Sequence, residues 1–150
     1  MKIQSSVFKN GGLIPSKYSY NGGNASPPLE WSSVPEGVKS FALICDDPDA
    51  PAGTWVHWVY YNIPPDMGSL PEKIAANAKP AQGGIQGSND FGKTGYGGPC
   101  PPRGTHRYFF KIYALDAMLT LSAGATKEKL LKAMEGHILG QGELMGKYKK

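Results

Sequence analysis

The stretch SFALICDDPDAPAGTWVHWVYYNI, Ser40 to Ile63, decides the fold. Its first part, Ser40 to Cys45, is an uninterrupted apolar run ending at two acids, the pattern of a strand covered on both faces. Its last part, Trp55 to Ile63, is rich in aromatic and β-branched residues that suit a pleated surface. Between them, two prolines and a glycine turn the chain. The reading is an antiparallel hairpin in which the end of the first strand and the start of the second meet at one edge of a sheet. A third run, Tyr108 to Leu115, has the same composition, and the three strands are expected at the centre of the sheet. In the second strand, alternation puts His57, Val59 and Tyr61 on one face and Val56, Trp58 and Tyr60 on the other. In the third, His106 and Tyr108 share a face and Arg107 points away.

Outward from this hairpin, 20 glycines and 13 prolines punctuate short apolar runs. This is the pattern of a mostly β protein with long loops. Pro64 to Gly104 shows little periodicity; a stretch that long is either functional or a meandering loop with one or two edge strands. Its glycines do not form a phosphate-binding loop, because no Gly-x-Gly-x-x-Gly run follows a strand and opens a helix. Thr126 to Leu139 has helical period, with Thr126 as N-cap and Leu130, Leu131, Met134 and Ile138 as an apolar stripe. Gly140 and Gly142 are expected to end that helix. His137 within it reads as a structural or capping residue.

At 150 residues and 40% hydrophobic, residues 1–150 are expected to form one domain. The net charge of +4 is spread too evenly to mark a nucleic-acid surface. No apolar leader and no transmembrane segment are evident, so a cytoplasmic protein is expected. Cys45 and Cys100 have neither metal-knuckle nor redox spacing. Cys45 reads as a core residue, and Cys100 as either a small packed residue or a reactive thiol beside the site.

Chemically capable residues gather in two places, Asp47-Pro48-Asp49-Ala50-Pro51 with Trp55-Val56-His57-Trp58, and Gly98-Pro99-Cys100-Pro101-Pro102-Arg103-Gly104-Thr105-His106-Arg107-Tyr108. Prolines stiffen the first loop and hold its acids in fixed directions. As a turn, the same loop would use its acids on neighbouring amides. Histidines and carboxylates are also metal ligands, but no recognised ligand spacing is present, and no metal or cofactor is expected. No Gly-x-Ser-x-Gly elbow occurs, and Cys100 lies among prolines. Imidazole N–H, the tyrosine hydroxyl and amides near Gly98 suit recognition of a small anion such as a phosphomonoester, with an acid setting the histidine tautomer. A hydrolase or lyase using His57 and Asp47 as acid and base is the enzymatic alternative.

The chain resembles the phosphatidylethanolamine-binding protein (PEBP) family, in its bacterial and archaeal Raf-kinase-inhibitor-like branch. The resemblance rests on Ile14-Pro15, on Asn24-Ala25-Ser26-Pro27-Pro28-Leu29-Glu30-Trp31, and on the Asp-Pro-Asp-Ala-Pro loop with His57-Trp58. It continues through the Gly-Pro-Cys-Pro-Pro to His-Arg-Tyr segment, His137-Ile138-Leu139 and Gly146-Lys147-Tyr148. It implies a large antiparallel sheet packed with a smaller one, one or two peripheral helices, and a pocket for phosphate, acetate or phosphorylated head groups. The pocket positions it implies are Asp47, Trp55, His57, Gly98, Pro99, His106 and Tyr108, with Asp49 and Arg107 as a buried supporting ion pair. The implied function is non-enzymatic binding of a small anionic or phosphorylated ligand. Inhibition of a kinase or protease by surface contact is the alternative, since some relatives are described as inhibitors. The chain ends soon after Tyr148, without the longer terminal helix of animal members, so roles tied to that helix are not carried over. Exposed strand edges and aromatic residues admit a homodimer.

Overall fold

A computed structural model describes residues 1–150. Strands β1 (Lys2–Gln4), β2 (Leu29–Ser32) and β5 (Ser69–Leu70) form a small antiparallel sheet in the order β1-β2-β5. Strands β3 (Ser40–Asp47), β4 (Trp55–Ile63), β6 (Ile85–Gln86), β7 (Thr105–Leu115) and β8 (Ile138–Lys149) form a larger one in the order β6-β4-β3-β7-β8. The expected hairpin is β3–β4, and the three expected strands are the central ones. No helix is long and apolar enough to cross a membrane.

Every residue of β3 is buried because the sheet is covered on both sides. Phe41, Leu43 and Cys45 face the small sheet, joining Ile3, Leu29, Trp31 and Leu70 with Trp58, Tyr60, Phe110 and Ile112 in one apolar cluster. Ala42 and Ile44 face the other way, into a second cluster with Val59, Tyr61, Leu130 and Met134 beneath helix α1 (Lys127–Met134). The period of two carries on past the apolar run, so the adjacent acids Asp46 and Asp47 leave on opposite faces. Asp46 turns to the helix side, 2.7 Å from Lys127 Nζ and 3.3 Å from Lys111 Nζ.

Alternation fails in β4, for a local reason. Asp46 pairs with Val56 and Cys45 with Trp58, so His57 is an extra residue that the ladder skips, a β-bulge. Val56 therefore sides with Val59 and Tyr61 in the helix-side cluster, while His57 and Trp58 both turn to the other face. A second irregularity lies between Tyr60 and Ile63, where Asn62 takes a φ of 54° and its amide bonds the main chain of Leu119 in both directions. The expected grouping of His57 with Val59 and Tyr61 is corrected on this ground.

The helix is shorter than its apolar period suggests. The Thr126 side chain caps it by accepting from the Lys129 N–H, and Leu130 and Met134 are buried. It ends at Met134, where Gly136 adopts a φ of 78° and turns the chain. Ile138 to Lys149 is then an edge strand paired with the whole of β7, so Gly140 and Gly142 lie inside a strand and Ile138 is exposed. His137 sits in the turn, its ring 2.8 Å from Asp116 Oδ1 and its carbonyl accepting from the Asp116 N–H. The stretch from Pro64 to Gly104 contributes only the two-residue strands β5 and β6 and is otherwise irregular.

Candidate functional site

Where β3 ends and β4 and β7 begin, a cavity of about 200 Å³ opens between the two expected stretches. Asp47, Trp55, His57, His106 and Tyr108 line it, together with Ala50, Pro51, Phe91, Cys100 and Pro102. Strand geometry delivers three of these: Asp47 is the last residue of β3, while His106 and Tyr108 alternate inward on β7. His57 arrives through the bulge in β4. All four are buried, at 3% exposure or less except His106 at 7%.

Asp47 connects the parts. Its Oδ1 accepts the Asp49 N–H at 2.7 Å, fixing the turn into the Pro48–Pro51 loop, and its Oδ2 lies 2.6 Å from His106 Nδ1. A carboxylate only accepts, so His106 carries a hydrogen on Nδ1. His57 is held the same way, with Nδ1 2.6 Å from the Gly97 carbonyl. Burial pushes the His57 pKa below its ordinary value, partly opposed by the Gly97 carbonyl and the Asp47 charge. The rings of His57 and Tyr108 meet edge to face, with centroids 5.1 Å apart. The Tyr108 hydroxyl is enclosed and has no hydrogen-bond partner in the protein, and burial drives its pKa far up. The Cys100 main chain partly opposes that rise.

Gly98 and Pro99 are near this cavity but do not line it. The Gly98 N–H donates to Asn24 Oδ1 at 2.7 Å and the Pro99 carbonyl accepts from the Tyr20 N–H, so neither polar group is free for a ligand. Gly98 is needed for close approach instead, since a Cβ there would lie 2.1 Å from the Tyr18 carbonyl oxygen. Asp49 and Arg107 do pair, with Arg107 Nε, Nη2 and its main-chain N–H all donating to the Asp49 carboxylate at 2.8–2.9 Å. The pair is not buried: the Arg107 side chain is 49% exposed and that of Asp49 29%. Arg107 points outward from β7 by the strand's own alternation, so solvent screens the pair and it acts as a clamp tying the acidic loop to β7. Arg107 holds the Asp49 carboxyl at about 2, well below its ordinary range.

Phe91 forms a wall of the cavity that the sequence pattern did not single out. It stacks on Tyr20 and meets Trp55 and His57 edge-on, at 5.5 and 5.4 Å. Asn89 positions it by accepting the N–H groups of Phe91 and Lys93 and donating to the Gly95 carbonyl. The available signal was composition: Phe91 and Tyr96 are the two aromatic residues of the Gly-rich stretch, and both pack against β4. Cys100 is exposed at the cavity, whereas Cys45 is buried in the core.

Residues 4–149 match the protein family described as phosphatidylethanolamine-binding protein. A UPF0098 protein of Methanothermobacter thermautotrophicus is 53% identical over 150 residues, covering 100% of this chain and 99% of its own. One from Aquifex aeolicus is 50% identical over 154 residues, covering 100% and 89%. Among solved structures, the PEBP homologue CT736 of Chlamydia trachomatis superposes with a TM-score of 0.91 at 45% identity, over 99% of this chain and 97% of that one. The YbcL protein of E. coli, described as a member of the mammalian PEBP family, gives 0.92 at 34% identity, over 99% and 98%. With its two-sheet architecture and nearly its whole length matched, the chain belongs to the phosphatidylethanolamine-binding protein family.

Proposed function

We propose that this chain is a single ligand-binding domain that holds a small anionic or phosphorylated group in the cavity between Asp47, His57, His106 and Tyr108, without transforming it. The observation that carries the reading is Tyr108, a buried residue of the cavity lining whose enclosed hydroxyl has no hydrogen-bond partner in the protein. An orphaned buried hydroxyl costs about 1–3 kcal/mol, a cost that a ligand oxygen removes. Beside it, two imidazoles have their Nδ1 atoms committed to oxygens, which leaves Nε2 of each as the ring atom available to a ligand. Trp55, Phe91 and the prolines supply apolar walls of the kind that surround a few polar contacts in small-molecule sites.

Binding rather than turnover is favoured by what the cavity lacks. His57 rests against a main-chain carbonyl rather than an acid, and neither His57 nor the acid-backed His106 has a thiol or hydroxyl hydrogen-bonded to its ring, as an activated nucleophile would require. Calorimetric titration with phosphate and with phosphoethanolamine, on the native protein and on His57→Ala and His106→Ala, tests the reading. Saturable binding that weakens in both variants is expected; unchanged binding in both would remove this cavity as the site.

A further inference from the structure

The cavity is built oddly for an anion. Among its lining side chains there is no lysine or arginine, and there is one carboxylate, so with both histidines neutral its formal charge is −1. The neighbouring acids are already matched with bases: Asp49 with Arg107, and Asp46 with Lys111 and Lys127 on the opposite face of the sheet. Asp47 has only His106 as a partner for its charge. Lys147 and Lys149 on β8 pair with Arg107 and Thr105 and thus stand on the far face, leaving Tyr148 opposite His106.

Tautomers make the point sharper. The Gly97 carbonyl and the Asp47 carboxylate accept and cannot donate, so both rings carry their hydrogen on Nδ1. A neutral imidazole of that kind presents Nε2 as a bare lone pair. Where both rings are neutral, the two histidines offer acceptors to the cavity, and a fully deprotonated anion then meets two lone pairs and a carboxylate. Resting on the anion-binding reading above, we propose that the cavity takes its anion together with one proton, carried in by the ligand or drawn from solvent onto His106.

His106 is the seat of that proton because its other nitrogen lies against a carboxylate, which stabilises a positive ring. His57 backs onto a neutral carbonyl and stays an acceptor, suited to a ligand that keeps an O–H, such as a monoprotonated phosphate monoester. Once His106 is charged, the lining is neutral, and its Nε2–H and the Tyr108 hydroxyl both donate. The preferred ligands are accordingly oxyanions that titrate near neutrality; a permanent dianion depends on solvent for its proton.

Sulfate, inorganic phosphate and ethanolamine are the probes. Calorimetry between pH 6 and 8, in two buffers of different ionisation heat, measures affinity and proton exchange together. For sulfate, the expected result is uptake of one proton per site and an affinity falling about tenfold per pH unit where the free ring is neutral. His106→Gln should lose that uptake while keeping its thermal midpoint within a few degrees, and Asp47→Asn should bind sulfate with little pH dependence. Sulfate binding that is flat with pH and releases or absorbs no protons would overturn the proposal while leaving the anion pocket standing. If neither phosphate nor sulfate binds at any pH, or ethanolamine alone binds, the pocket reading itself falls.

Discussion

His106 Nδ1 lies 2.6 Å from Asp47 Oδ2, with both side chains under a tenth exposed. This contact joins the end of β3 to the start of β7 and fixes the tautomer of a cavity-lining ring. Replacing Asp47 by Ala strands the His106 Nδ1–H and the Asp49 N–H together. The variant should lose about 2–4 kcal/mol of stability, as two buried hydrogen bonds to a charged acceptor are removed. Urea denaturation with an unchanged slope is the measurement.

Tyr108→Phe separates stability from binding. Removing an unpartnered hydroxyl leaves folding stability equal or raised by about 1 kcal/mol. Affinity for phosphate should fall by roughly 10-fold to 100-fold, the size of one hydrogen bond to a charged group. A variant that is destabilised and binds normally would show that the hydroxyl has a partner inside the protein.

Cys100 is the exposed thiol and Cys45 the buried one, with burial pushing the Cys45 thiol well up. Iodoacetamide should therefore modify one cysteine per native chain and two after unfolding. Saturating phosphate should slow the native reaction, because Cys100 lines the same cavity. Peptide mapping by mass spectrometry identifies the residue.

Stability should decline on the acid side in two steps. The pKa of His57 is lowered in the folded state relative to its ordinary 6.5, so unfolding takes up a proton there. Its contribution is complete above pH 6.5 and is lost as pH falls through the lowered folded value, with a slope of at most about 1.4 kcal/mol per unit. Asp49, at about 2 against an ordinary 3.8, acts in the same direction but only below pH 3.8. Chemical denaturation from pH 7.5 to 4.5 should show the first step in the native protein and not in His57→Gln.

Gly98→Ala places a methyl 2.1 Å from the Tyr18 carbonyl oxygen, a main-chain atom that cannot rotate away. A loss of about 3 kcal/mol or more is expected from this overpacking. The Asn24 contact to the Gly98 N–H should open with it, read as faster amide exchange at that position.

The hairpin, the three central strands and the meeting of Asp47, His106 and Tyr108 were legible because continuous apolar runs and period-two alternation report directly on a covered sheet, whereas His57 joins them only through a bulge that alternation does not contain. The edge strand β8 was not. Its first residues continue the helical spacing of Leu130 and Met134, and its glycines read as breakers, while in the fold they lie on a strand held along its length by β7. The outward direction of Arg107 follows from alternation and agrees with its exposure, whereas the buried pair that the family resemblance implies does not. Phe91 and the roles of Gly98 and Pro99 depend on which loop packs where, information that local periodicity does not contain.

His57 is the one residue of β4's first turn into the sheet that the hydrogen-bond ladder does not count: Val56 and Trp58 pair with the consecutive residues Asp46 and Cys45. The sheet can thus be written without it. Deleting His57 would leave a strand whose partners and faces run on regularly from Trp55 to Tyr60, as far as the second irregularity at Asn62, while Gly97 would lose both the His57 ring and its main-chain contact. If the cavity binds as proposed, the deletion variant should be folded but silent toward phosphate, which circular dichroism and calorimetry on the same sample would show.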